Sequence, residues 1–120
     1  MFDNNGSNDT SSSNNYWKVE TDDNNISWLH FDTPDASANL LSQAAIKELD
    51  DILKELEKSP PRALIILSDK KDSFIFGADI KEFTALDNKE QALAFMHKGH
   101  ALMNRLEAMP CTTVSMIHGL

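Results

Sequence analysis

The chain has 120 residues with 11 Lys and Arg against 19 Asp and Glu, a formal charge of −8, which excludes a general affinity for nucleic acid or an anionic membrane. One cysteine, Cys111, excludes an internal disulfide and fits a reducing compartment. No leader-like basic and apolar segment opens the chain, and no apolar run approaches the roughly 20 residues that span a bilayer, so it reads as soluble and cytoplasmic.

Residues 1 to 15 are mostly Asn, Ser, Asp, Gly and Thr. They cannot bury enough surface to offset their ordering entropy and read as a disordered tail. Tyr16 to Glu20 and Ile26 to Phe31 are aromatic and β-branched, with a polar turn at Thr21 to Asn25 between them, the pattern of a β-hairpin. Asp32 to Ala38, with Pro34, is a loop. Ser42 can cap a helix running to about Lys58. Ile46, Leu49, Leu53 and Leu56 make its apolar stripe, Ile52 lies beside it, and Asp50 pairs with Lys54 on the outer face. Pro60-Pro61 ends that helix.

Ala63 to Leu67 is a continuous apolar run of strand length, as in a strand buried on both faces. Strand, helix and buried strand in this order predict a crossover unit with a parallel pair. After the charged turn Ser68 to Asp72 comes Phe74 to Phe83. Asp87 and Glu90 form a capping-box variant that opens a second long helix, with Leu93, Met96, Met103 and Leu106 on its stripe. Pro110 closes it, Val114 to Ile117 is a last short strand, and His118-Gly119 begins a turn. The apolar faces of these elements call for further layers to cover them.

The most informative segment is Ser73-Phe74-Ile75-Phe76-Gly77-Ala78-Asp79-Ile80-Lys81-Glu82-Phe83. An apolar run breaks at glycine, passes through Ala-Asp and opens into a helix-like pattern. Such a corner leaves backbone N–H groups free to donate to an oxygen, the chemistry of an oxyanion hole. Taken alone, Gly77 reads first as a turn residue that needs positive φ, and Gly-Ala-Asp is too short to be a motif.

The order of elements around it supplies the context. From about Trp17 to Leu120 the chain resembles, element by element, the first half of a crotonase (enoyl-CoA hydratase/isomerase) domain. The Phe-Ile-Phe-Gly-Ala-Asp-Ile-Lys run and the Trp17-Lys18-Val19-Glu20 opening are similar to the large multifunctional β-oxidation subunits. In those, a 3-hydroxyacyl-CoA dehydrogenase follows the hydratase/isomerase domain. Ala38-Asn39-Leu40-Leu41-Ser42 resembles the family segment that lies near coenzyme A. The resemblance implies an α/β fold, the N-terminal part of the crotonase-like ββα spiral, over residues 16 to 120.

It also implies a reaction: hydration of 2-enoyl-CoA thioesters in fatty-acid β-oxidation, with Δ3-Δ2-enoyl-CoA isomerisation as the enzyme alternative and a non-catalytic coenzyme A- or partner-binding remnant as the other. Ala78 would give one backbone N–H to the thioester oxygen. Phe76, Gly77, Asp79, Ile80 and Lys81 would complete the substrate-binding segment at a helix start. Coenzyme A enters as part of the substrate, no cofactor is tightly bound, and NAD is implied only if a dehydrogenase domain follows. A homo-oligomer or a complex with a thiolase subunit is implied for the full-length protein. The family's Gly-rich turn and its two catalytic glutamates would follow His118-Gly119, so the expectation is a chain truncated before them and inactive alone.

Other reactive side chains read as structural. Glu82 and Glu90 are helix-surface carboxylates. His97 and His100 are spaced i, i+3 but lack a third metal ligand. Cys111 reads as a small buried thiol, and Met96, Met103 and Met109 as core fillers.

Overall fold

A computed structural model describes residues 15–120; the expected tail therefore lies, apart from Asn15, outside the described residues. Strands β1 (Trp17–Thr21) and β2 (Ile26–Phe31) form the expected hairpin, paired antiparallel from Trp17 with Phe31 to Thr21 with Ser27. Its turn is organised by one side chain. Asp22 Oδ1 accepts from the backbone N–H groups of Asn24 and Ile26, and Oδ2 accepts from Trp28 Nε1. The Trp28 bond, with the backbone donors, holds the Asp22 carboxyl below its ordinary value.

Helix α1 (Gln43–Lys58) starts where Ser42 predicts, with Ser42 Oγ accepting from the Ala45 N–H at 3.1 Å. Ala45, Leu49 and Leu53, each four residues after the last, form its buried line. The half-buried Ile46, Ile52 and Leu56 pack beside that line. Trp17 keys α1 to the hairpin: its ring stacks on Phe31 at 4.1 Å and its Nε1 donates to Ala45 O at 3.0 Å. Glu48 completes the joint by accepting from the backbone N–H groups of Tyr16 and Trp17.

Strand β3 (Ala63–Ser68) pairs parallel with β2, and β4 (Thr112–Met116) pairs parallel with β3, in the sheet order β1-β2-β3-β4. Helices α2 (Ile80–Thr84) and α3 (Lys89–Glu107) lie between β3 and β4 in the chain. The α/β crossover architecture read from the sequence is the one observed.

Four local expectations are corrected. In β3 only Leu64, Ile66 and Ser68 are buried; Ala63, Ile65 and Leu67 are half-buried, because α1 covers one face of the sheet. On α3 the buried residue is Leu102, while Leu93, Met96 and Met103 are exposed; of the three expected methionine fillers only Met109 is buried. The cap of α3 sits one residue later than expected: Asn88 Oδ1 accepts from the Gln91 N–H, and Gln91 Oε1 accepts from the Asp87 N–H. The last strand runs Thr112–Met116 instead of Val114 to Ile117, and as an edge strand it is exposed throughout.

Asp50 does more than pair with Lys54. Arg105 of α3 reaches across to Asp50 Oδ1 at 2.8 Å and to Glu57 at 3.1 Å, tying the two helices together. Burial pushes the Asp50 carboxyl up, but the hydrogen bonds from Lys54 and Arg105 outweigh it and leave the group below its ordinary 3.8. A carboxyl lowered on folding stabilises the fold fully above its unfolded value and loses that contribution as pH falls through its folded value. The melting temperature should therefore fall as pH drops below the ordinary 3.8. In Asp50→Asn the same acid titration should show a shallower fall.

Candidate active site

The segment Phe74 to Ala78 leaves β3 and runs alongside residues 39–41. The Phe76 N–H donates to Asn39 O at 2.9 Å, the Leu41 N–H donates to Gly77 O at 2.7 Å, and Leu41 and Ala78 form a parallel bridge. Gly77 adopts φ of +100°, which turns the chain at the point where its carbonyl meets Leu41. A Cβ at Gly77 would meet nothing within 4 Å, so the need for glycine is conformational and not steric. Gly77→Ala should cost about 1 to 3 kcal/mol from the backbone conformation alone, read as a lower urea midpoint.

The next residue presents a free backbone donor. Among the described residues the Ala78 N–H donates to no hydrogen bond, and Ala78 is exposed. Asp79 then caps α2, its Oδ1 accepting from the Lys81 N–H at 3.0 Å. Helix α2 has only five residues, so its macrodipole is small. Of the expected contact residues, Phe76, Gly77 and Ala78 are brought together along Leu41. Ile80 and Lys81 are exposed on the first turn of α2, and Phe76 is 54% exposed.

Ala78 borders an apolar cleft of about 330 Å³, lined also by Leu41, Ile46, Phe95, Met96, Gly99, His100, Leu102 and Met103. Met96 and Met103 thus line this cleft instead of filling the core. Their helical spacing in the sequence shows an apolar face without showing whether protein or ligand covers it. The polar hub behind the segment was also missed. Asn39 is fully buried; its Nδ2 reaches Phe31 O, Ser68 Oγ and Phe74 O, and its Oδ1 accepts from the Thr33 N–H.

The chain after β4 returns to the same place. The Leu120 N–H donates to Asp72 O, the Phe74 N–H donates to Leu120 O, and His118 Nε2 lies 2.8 Å from Lys70 O. Gly119, at φ of +66°, passes so close to Asp72 that a Cβ would run into its backbone. His118-Gly119 therefore packs against residues 70–74, the stretch that leads from β3 into Gly77-Ala78.

The remaining candidates fall elsewhere. Glu90 is exposed at the start of α3, and Glu82 is half-buried against α1. His97 and His100 are exposed, and among the described residues no three metal-ligating side chains converge. Cys111 is half-buried, and burial raises its thiol above the ordinary value, which keeps it protonated and unreactive at neutral pH.

Residues 21–120 match the family model for enoyl-CoA hydratase/isomerase. The chain belongs to that family. Among curated relatives, the fatty acid oxidation complex subunit alpha of Aliivibrio fischeri is 38% identical over 100 residues, covering 82% of this chain and 15% of its own length. The subunit of the same name from Shewanella oneidensis is 38% identical over 95 residues, 78% of this chain and 14% of its own. The chain thus spans about one-seventh of the curated relatives it matches. A crystal structure of an enoyl-CoA hydratase from Bacillus anthracis superposes with a TM-score of 0.77 at 25% identity, covering 87% of this chain and 40% of that one. An enoyl-CoA hydratase of Mycobacterium smegmatis, at 20% identity and a TM-score of 0.78, shares the fold over 85% of this chain and 39% of its own. Enoyl-CoA hydratase/isomerase membership and the crotonase fold are thereby established, and no helix among the described residues is long and apolar enough to cross a membrane.

Proposed function

We propose that this chain is the N-terminal, thioester-binding part of an enoyl-CoA hydratase domain that adds water to 2-enoyl-CoA thioesters in fatty-acid β-oxidation. The observation that carries the reading is the Ala78 N–H, which has no hydrogen-bond partner among the described residues and lies at the edge of an apolar cleft. In hydration, a water oxygen bonds to the β-carbon and the double-bond electrons move toward the thioester carbonyl, building an enolate oxygen. The attacking water gives up one proton, and the enolate electrons then collapse to form a C–H bond at the α-carbon with a proton delivered there. Only the carbonyl oxygen gains charge on the way, so a fixed donor aimed at it stabilises the transition state more than the substrate.

Ala78 is that donor in this reading, and Gly77 is the turn that aims it. Phe76, Asp79, Ile80 and Lys81 line the approach of the coenzyme A moiety, and the acyl chain enters between Met96 and Met103. The second donor and the carboxylates that move protons belong to the part of the domain that the longer relatives supply. Their name, as subunits of a fatty acid oxidation complex, supports placing the protein in such an assembly.

The full gene product, assayed with crotonyl-CoA, should consume the enoyl absorbance and release 3-hydroxybutanoyl-CoA. Conversion of 3-enoyl-CoA to 2-enoyl-CoA without net hydration would replace the hydratase reading with that of an isomerase. Inertness toward both would end the catalytic reading.

A further inference from the structure

Glu82 joins the two segments that frame Ala78. Its Oε1 accepts from the backbone N–H of Gln43, the first residue of α1, at 2.8 Å. Helix α1 has sixteen residues and no acidic side chain in its first turn. Ser42 satisfies the Ala45 N–H, and the Gln43 N–H is an orphan donor that a carboxylate from another element takes up. The bond runs between elements 39 residues apart and places a negative charge at the positive end of a long helix.

Helix α2 has few other anchors. None of its residues is buried; Asp79 caps it locally, and Phe83 approaches Phe95 of α3 at 6.3 Å between ring centroids. Segments 39–43 and 76–82 are held together by Phe76 N–H to Asn39 O, Leu41 N–H to Gly77 O, and Gln43 N–H to Glu82 Oε1. Ala78 lies between the second tie and the third. The Gly77 carbonyl and the Ala78 N–H share one planar peptide, so the second tie sets the direction of that N–H, and the third limits how far α2 can pull the peptide out of line.

We infer that Glu82 is a positioning residue for the oxyanion donor, acting through the N-terminus of α1 and not as an acid or base. The inference rests on the oxyanion role proposed for Ala78. The geometry needs an acceptor of this reach and no proton transfer, so Glu82→Gln keeps the function, while Glu82→Ala and the shorter Glu82→Asp lose it.

The test uses the full gene product, with butanoyl-CoA isotope-labelled at its thioester carbonyl as an unreactive probe. In the parent chain and Glu82→Gln, binding should lower the carbonyl stretching frequency in the infrared. In Glu82→Ala and Glu82→Asp the affinity should stay within about threefold, because the rest of the contact surface is intact, while most of the frequency shift disappears. Amide resonances of Gly77, Ala78 and Gln43 give a reading that needs no ligand: they should move in Glu82→Ala and return in Glu82→Gln. Resonances unmoved in Glu82→Ala, or a full carbonyl shift in that variant, would overturn the inference. So would a Glu82→Gln chain that behaves like Glu82→Ala. A parent chain that binds the probe with no carbonyl shift, while Ala78 still moves in Glu82→Ala, would end the oxyanion role and leave the positional coupling standing.

Discussion

Replacing the Gly77–Ala78 amide by an ester should cut the turnover number of the proposed hydratase, measured on the full gene product, about 100-fold, the loss of about 3 kcal/mol seen when one oxyanion donor is removed. The exchange substitutes oxygen for the Ala78 N–H and leaves every side chain in place. Ala78→Pro is the genetic version, since proline carries no N–H and glycine is a permissive residue before it. The Michaelis constant should change far less than turnover, because a ground-state carbonyl takes less from the donor than an enolate does. Ala78→Gly keeps the N–H and should stay within about threefold of the parent. Equal turnover for amide and ester would mean that the thioester oxygen is held elsewhere.

The same residues show what a linear sequence encodes. The stripe Ile46, Leu49, Leu53, Leu56 and the cap at Ser42 are local, so the span of α1 was legible to within a residue, although Ala45 and not Ile46 is the buried residue at its start. The hairpin was legible because Asp22, through neighbours within six residues, builds the turn by itself. Gly77 was legible as a special backbone position, and φ of +100° bears that out. What periodicity cannot give is the identity of the neighbour. Met96 and Met103 share a helical face with core-like residues, but they line a cleft. Val114 and Met116 have the alternation of a strand that packs on one side, and both are exposed on an edge. Glu82 looks like any surface carboxylate until α1 is placed 39 residues away in sequence and 2.8 Å away in space. Long-range polar contacts leave no pattern in a single chain, which is why Glu82 and Asn39 were less legible than the turn at Gly77.

Asn39 carries that point furthest, and its loss should be the most damaging single change to the fold. The side chain is fully buried and serves four partners: the carbonyls of Phe31 and Phe74, Ser68 Oγ and the Thr33 N–H. These partners come from the end of β2, the following loop, the end of β3 and the segment leading to Gly77, so one amide replaces the backbone pairing lost where the strands stop. The Asn39 carbonyl in turn receives the Phe76 N–H. Asn39→Ala strands several buried polar groups at about 1 to 3 kcal/mol each, not fully additive, for an expected total near 4 kcal/mol. That is a large share of the roughly 5 to 15 kcal/mol that holds a domain folded. Ser68→Ala removes one partner and should cost about 1 kcal/mol. Urea unfolding followed by Trp17 fluorescence separates the cases, since that ring is buried against Phe31 and is exposed only when the core opens. Asn39→Asp should be no milder than alanine, because it sets a carboxylate against two carbonyl oxygens. An Asn39→Ala chain with an unchanged midpoint would mean that water can stand in for the amide, and that Gly77 and Ala78 are held by their own backbone ties to Leu41.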